Sequence, residues 1–388
     1  MALKLASEKL DAQKPEAEIQ ETTGGRRLLR FVAYLSIFLL WVLLIFFATR
    51  GARGQGWLAG WQQWDAHWYE QIWREGYPAA DARTLVFPPG YPLAIGGLSK
   101  LLSLSFFTTA VILNLAAFFA AAVLISQWLS RKFVASSYLL FVFVISAPAA
   151  YFAFTAYSDI LFMLLLWLLL WLALPGPGLR RCRGYKIAIA ECCLLFVLPW
   201  IRLTGYALAS WLVARRMVAL AVVASLALWL AFNRAIEGSA FYFLHAQELF
   251  AMPRGNFFQG LADSLEHLMS DAGGGRILSW LEFGFLPLFY LAVLTAAALW
   301  LAKRREGLLA LSALSILVLS YNQGFWRSVV RYDLPLTPLL CLPLLVTAKS
   351  ASRTVSYMSQ AAFYALILGQ FSLQIYFARI FHAGGWAF

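Results

Sequence analysis

Long apolar runs dominate the chain. They alternate with short basic connections, or with two longer stretches in which aromatic and charged residues mix. Each run approaches the ~20 residues that an α-helix needs to cross a hydrocarbon core of ~30 Å. Backbone amides in lipid are satisfied only within helices or closed barrels. The pattern therefore predicts helical spans at 28–49, 105–130, 133–155, 158–174, 185–200, 201–214, 217–233, 281–302, 307–325, 335–348 and 356–378. The expectation is an all-α polytopic membrane bundle of about 11 transmembrane helices, forming one domain over 26–388. Pro199 and Arg202 interrupt the run across 185–214, which predicts two short, broken helices there.

Composition agrees with this picture. Of 388 residues, 62% are hydrophobic and 13% charged, whereas a soluble domain carries roughly 25% charged residues. The formal net charge of +12 raises nucleic acid as a partner, and the placement of that charge removes it. Alternate connections hold Arg26, Arg27 and Arg30; Arg131 and Lys132; Arg180, Arg181, Arg183 and Lys186; Arg215 and Arg216; Lys303, Arg304 and Arg305; and Lys349 and Arg353. These 16 basic residues share their side with one acid, Glu306, while the opposite side balances 12 basic residues with 12 acids. The positive-inside bias makes the first side cytoplasmic, so the excess is a topology signal. The N-terminus is expected in the cytoplasm and the C-terminus outside. Residues 1–25, with five acids and three lysines, read as a disordered cytoplasmic tail rather than a signal peptide.

Cys182, Cys192, Cys193 and Cys341 fall in spans or cytoplasmic loops, so no structural disulfide is expected and no Cys/His spacing suits zinc. Glu191, about one turn from Lys186, is expected to pair with Lys186 or Arg183 at the interface.

Two outer segments, 50–104 and 234–280, are longer than connectivity requires, and loops of that size usually carry function. In the first, Trp57, Trp61, Trp64, Trp68 and Ile72 recur at helical spacing and predict one amphipathic interfacial helix with a tryptophan stripe. Asp65 falls on the margin of that stripe rather than on its wet face. A carboxylate at the lipid–water boundary is costly unless it has a cationic partner or a chemical use. Partial desolvation also raises its basicity, as a general base requires. Glu70 and Glu75 read as solvated charges, and His67 as either a surface histidine or a site residue. FPPGYP, Phe87 to Pro92, reads as a rigid turn that aims 92–104 along the interface and holds Asp65 against the bundle.

Asp159 has two readings: a helix cap shared with Ser158, or a second carboxylate facing the same cavity as Asp65. Arg202, Arg327 and Arg331 at the outer edge suit a lipid phosphate, because guanidinium offers a fork of donors. Their alternative is snorkelling toward headgroups. Arg327 and Arg331, four apart, share a helix face, and Asp333 is a ready partner for Arg331. The second outer segment holds Glu237, His245, Glu248, Asp263, Glu266 and His267 without metal-ligand spacing. It reads as a lid or an acceptor-binding element, and a divalent metal is not expected.

WDAHWY at 64–69, GY at 76–77, FPPGYPL at 87–93, YSD at 157–159 and RYDLPLTPLL at 331–340 together resemble the PIG-V family, the GPI mannosyltransferase II-like members of the GT-C glycosyltransferases. The resemblance covers the order of motifs from about 64 to 340, and WD with FPxxYP is its most specific part. The chain departs from the family pattern in three ways. YSD stands for YSE, IRLTGY at 201–206 lacks an Asn near Arg202, and the chain is shorter than eukaryotic members. The shortness suggests a prokaryotic relative in a bacterial plasma membrane, for which a GPI-anchor acceptor does not transfer.

The resemblance implies a GT-C-like fold and a polyprenyl-phosphate-linked sugar donor, most often mannose. It implies inverting transfer on the outer face. The acceptor is expected to be a glycolipid or glycan, and the protein a monomer without a cofactor. It makes Asp65 the general base, with Trp64, His67, Tyr69, Tyr91, Asp159, Arg202, Arg327, Arg331 and Tyr332 as donor- or acceptor-binding candidates. Two rival readings remain open: a polyprenyl-lipid or glycolipid transporter (flippase), and a non-catalytic assembly subunit. A transporter predicts inverted repeats and charges near the midplane, whereas this sequence has no visible repeat and holds nearly all its charge at span ends.

Overall fold

The structure is a computed structural model, and it describes residues 14–50, 56–77, 81–133, 135–174, 185–249, 255–273, 279–322, 326, 328–350 and 353–385. Every regular element among them is helical. In chain order the α-helices are α1 (Lys14–Thr49), α2 (Asp65–Glu75), α3 (Gly90–Leu102), α4 (Phe106–Phe133), α5 (Ser137–Ile145), α6 (Asp159–Ala173), α7 (Tyr185–Ile201) and α8 (Arg216–Glu237). They continue as α9 (Tyr242–Glu248), α10 (Phe257–Gly273), α11 (Leu286–Lys303), α12 (Gly307–Tyr321), α13 (Val329–Tyr332), α14 (Leu342–Ser350) and α15 (Arg353–His382). Among the described residues, five stretches are long and apolar enough to cross a membrane: Gly25–Thr49, Phe106–Phe133, Arg216–Glu237, Trp280–Lys303 and Val355–His382. Ser137–Ile145 with Pro148–Phe154 makes a sixth if that bent pair is one span.

The remaining predicted spans coincide with shorter or broken helices. Asp159–Ala173, Leu203–Val213, Gly307–Tyr321 and Leu334–Val346 are apolar but fall below span length. Their shortness goes with burial. On α6, Ile160, Phe162, Met163, Leu166, Trp167, Leu169 and Leu170 are all buried, so that helix is apolar almost all round and packs inside the bundle. The break expected across 185–214 is present. Pro199 lies in the last turn of α7, Arg202 adopts an extended backbone, and a 3-10 helix follows over Leu203–Val213.

Three expectations need correction. The acidic tail enters α1 from Lys14; Ala, Glu and Gln are good helix formers, and a helix already nucleated by the span propagates readily into them. Residues 1–13 lie outside the described residues. Glu191 pairs with Arg215 rather than Lys186, because α7 and the 3-10 helix Leu203–Val213 pack side by side; Arg183 and Cys182 lie outside the described residues. The tryptophan stripe is not one helix. A 3-10 helix covers Trp57–Trp61, and Trp64 (φ 52°, ψ −119°) turns the chain before α2 begins.

That turn has a physical cause. Trp61 is fully buried, 5.3 Å from the ring of Phe154 and 5.2 Å from His382. The Asp65 amide meanwhile donates to the Tyr157 hydroxyl at 3.0 Å. The positive φ at Trp64, uncommon outside glycine, lets the chain meet both anchors and leaves the Trp64 side chain 44% exposed.

The chain breaks by 75° between α5 and the 3-10 helix Pro148–Phe154. Buried polar side chains satisfy the groups freed there, as a break inside an apolar bundle requires. Gln374 donates to the Ile145 carbonyl at 3.1 Å and accepts from the Trp41 indole at 3.1 Å. The Ser146 hydroxyl reaches Gln370 at 3.2 Å. The break matters because it delivers Tyr157, Ser158 and Asp159 to the end of α6.

FPPGYP acts as the predicted turn into α3, with Pro89 at the helix N-cap. Gly76, at φ 72°, ends α2, and the Tyr77 hydroxyl donates to the Phe87 carbonyl, which ties the GY and FPPGYP segments together. Gly90 allows α3 to lie on α7: a Cβ there would sit 2.6 Å from the Trp200 carbonyl oxygen, which is backbone and cannot swing aside. We expect Gly90→Ala to lower stability by about 1–3 kcal/mol, the usual cost of overpacking. Thermal unfolding of the detergent-solubilised protein would check it, and an unchanged midpoint would remove this contact from the fold.

Candidate functional site

Four charged side chains from four distant segments meet at one end of the bundle. Asp65 opens α2, Asp159 opens α6, Arg202 precedes the Leu203–Val213 helix, and Arg331 lies in the single turn α13. Arg331 Nη1 donates to Asp65 Oδ2 at 3.0 Å. Arg202 Nη1 lies 2.7 Å from Asp159 Oδ1, and Arg331 Nε lies 3.9 Å from the same oxygen. Two carboxylates and two guanidiniums therefore balance in charge, which is how a nearly dry site holds ions.

The four are not equally sealed. The side chain of Asp159 is 1% exposed and that of Arg331 6%, against 13% for Arg202 and 19% for Asp65. Asp159 is thus a fixed counter-ion, whereas Asp65 is the carboxylate a ligand can reach. Its Oδ1 has no hydrogen-bond partner among the described residues. Burial pushes the Asp65 carboxyl above its ordinary value of 3.8, against the opposing pull of Arg331. Its place in the first turn of α2 also favours the charged form at the helix N-terminus.

Aromatic rings make the walls. The Arg331 guanidinium lies 5.1 Å from the ring centroids of Tyr157 and Tyr332 and 5.6 Å from Phe152. The Arg202 guanidinium lies 4.8 Å from the centroid of the same Tyr332 ring. One ring thus holds both cations, an arrangement favoured by cation–π attraction and feasible because both carboxylates offset the repulsion.

The predicted residues divide clearly. Asp65, Asp159, Arg202, Arg331 and Tyr332 come together. Tyr69 and Tyr91 lie behind them as buried support: the Tyr69 hydroxyl is 2.9 Å from Ser158 Oγ, and the two rings meet edge-on at 4.9 Å. Trp64 and His67 are exposed. Arg327 lies outside the described residues. Ser158 sits at the N-cap of α6 with no side-chain cap bond. Asp159 spends its carboxylate on the arginines, so the capping reading gives way to the cavity reading. Asp333 does not pair with Arg331 as expected. It is fully buried beside Ser320 and Tyr321, because one residue beyond the α13 turn points to the opposite side.

Two residues escaped the sequence reading. Tyr157 accepts the Asp65 amide and flanks Arg331, so it fixes the start of α2; it lay inside the YSD motif, where attention went to the acid. Asn114, fully buried in α4, donates to the carbonyls of Thr155 and Tyr157 at 2.8 and 2.9 Å and to the Tyr91 hydroxyl at 3.1 Å. A lone amide in an apolar span was the available signal. Among the described residues no group of three His, Cys, Asp or Glu side chains is placed to hold a metal ion. No family model, curated protein or solved structure matches the chain.

Proposed function

We propose that the protein is an inverting glycosyltransferase of the membrane. It moves a sugar, mannose by the family resemblance, from a polyprenyl-phosphate donor to a glycolipid or glycan acceptor. One observation carries the reading: a reachable carboxylate, Asp65, with an uncommitted oxygen, stands 3.0 Å from a guanidinium in a balanced cluster of acids and arginines. The order of WD, FPPGYP, YSD and RY motifs along the chain supports the same class through its resemblance to the PIG-V family. The proposal includes about eleven spans, with the N-terminus cytoplasmic and the cluster on the outer face.

The chemistry follows from the parts. Asp65 Oδ1 takes the proton of the acceptor hydroxyl as its oxygen attacks the anomeric carbon from the face opposite the phosphate. The anomeric carbon–oxygen bond to phosphate breaks, and its electron pair leaves on the lipid phosphate. That developing charge needs fixed cations, and Arg202 and Arg331 supply them without reorganising, since Asp159 and Tyr332 already hold them in place. Asp65 then returns its proton to water. Because the donor arrives in the bilayer, the chain needs no soluble nucleotide-binding domain.

The pH dependence has a definite sign. The base works as carboxylate, and the Asp65 carboxyl is raised above 3.8. Activity should therefore rise with pH through the raised value and fall below it, before an ordinary surface carboxylate is protonated. A pH–rate profile checks this; an acidic limb at or below 3.8 would remove Asp65 as the base. Substrate identity is tested by giving the purified protein labelled polyprenyl-phosphate-mannose and a membrane extract, then identifying the labelled product. Success only with another lipid-linked sugar would keep the class and change the donor.

A further inference from the structure

A cavity lies far from the charged cluster. It encloses about 470 Å³ between the start of α5 and the facing sides of α14 and α15, a size typical of ligand pockets. Phe133, at the end of α4, lies on its wall. Asn114, which ties α4 to the cluster, is 19 residues earlier, or roughly 28 Å along a helix. The cavity is therefore at the opposite end of the bundle.

Its lining is graded. Ser356, Ser359 and Gln360 line it together with Phe363, and their spacing puts them on one face of α15. Ser136 and Leu140 line it as well, one just before α5 and the other in its first turn. Basic positions border the starts of α5 and α15 along the chain. Arg131 is exposed in the last turn of α4, Lys349 lies in the last turn of α14, and Arg353 begins α15. Lys132 is already taken by Glu306 at 2.5 Å. Beside the polar mouth, Tyr357, Met358 and Tyr364 are 68%, 66% and 50% exposed. They lie on a helix apolar enough to span, at the level where tyrosines meet the headgroup region. The mouth thus continues the lipid-facing surface.

We propose that this cavity binds one anionic phospholipid from the leaflet at the basic end. Its phosphate lies toward Arg131 and the start of α15, its glycerol ester region meets Ser356, Ser359 and Gln360, and an acyl segment runs toward Leu140 and Phe363. The charge-free serine and glutamine lining suits ester oxygens, and the exposed Arg131 suits a phosphate. This site does not rest on the transferase reading, which concerns the other end of the molecule.

Native mass spectrometry of the full chain, titrated with phosphatidylglycerol or phosphatidylcholine, tests it. One phosphatidylglycerol per chain should be retained at roughly tenfold lower concentration than phosphatidylcholine. Ser359→Trp, which fills the cavity, should abolish that retention. Gln360→Trp at the exposed rim should lower it by a similar factor, and decides the matter if Ser359→Trp does not fold. Equal retention of the two lipids, or retention unchanged in the folded tryptophan variants, would overturn the proposal. So would displacement of phosphatidylglycerol by an equimolar polyprenyl phosphate, which would give the cavity to a different lipid.

Discussion

Asp65→Asn is expected to reduce sugar transfer by about 10²–10⁴-fold, the usual contribution of a positioned general base, while the protein still inserts and folds. Asparagine keeps the shape of the side chain and can still accept from Arg331, so the α2 start remains docked through the Asp65 amide and Tyr157. What disappears is the proton acceptor at the uncommitted oxygen. The loss should fall on kcat rather than on donor affinity, because the arginines and Tyr332 remain. Steady-state rates with purified wild-type and variant protein check this. A variant with normal kcat would assign the proton to another group.

Arg331→Met is expected to do more damage, and of a different kind. Arg331 faces both carboxylates and three aromatic rings while only 6% of its side chain is exposed. Removing one partner of a buried ion pair typically costs about 3–5 kcal/mol, because the charge left behind is uncompensated. The variant should unfold at a markedly lower temperature and lose transfer as well. Adding Asp65→Asn to Arg331→Met should restore much of the thermal midpoint, since the stranded charge is then gone, but none of the activity. If the double variant is no more stable than Arg331→Met, the pair is not what holds α2 to α13.

These expectations join residues that the sequence could nominate but not pair. Asp65 and Arg331 are 266 positions apart. The sequence placed Asp65 in the first outer segment and Arg331 at the outer edge before a span, yet nothing local assigns Arg331 to Asp65 instead of to its near neighbour Asp333. The geometry of the α13 turn decided that, by sending Asp333 toward Ser320 and Tyr321. Glu191 teaches the same lesson: a partner one turn away lost to Arg215, which packing brought closer. The tryptophan stripe failed for a tertiary reason, because Trp61 and Asp65 answer to different anchors and the chain turns at Trp64 between them. Helical periodicity was otherwise a sound guide. Pro199 with Arg202 marked a real break, and FPPGYP marked the real start of α3. Asn114 and Tyr157 were missed because their work is to hold backbone, which no spacing rule reports.

The most direct test follows a label in the sugar of polyprenyl-phosphate-mannose supplied to the protein in vesicles, with wild type and Asp65→Asn side by side. The proposed chemistry predicts that wild type releases polyprenyl phosphate and moves the label to an acceptor with inverted anomeric configuration, and that Asp65→Asn leaves the donor intact. A donor that crosses the bilayer uncleaved, or cleavage equally fast in both proteins, would contradict it.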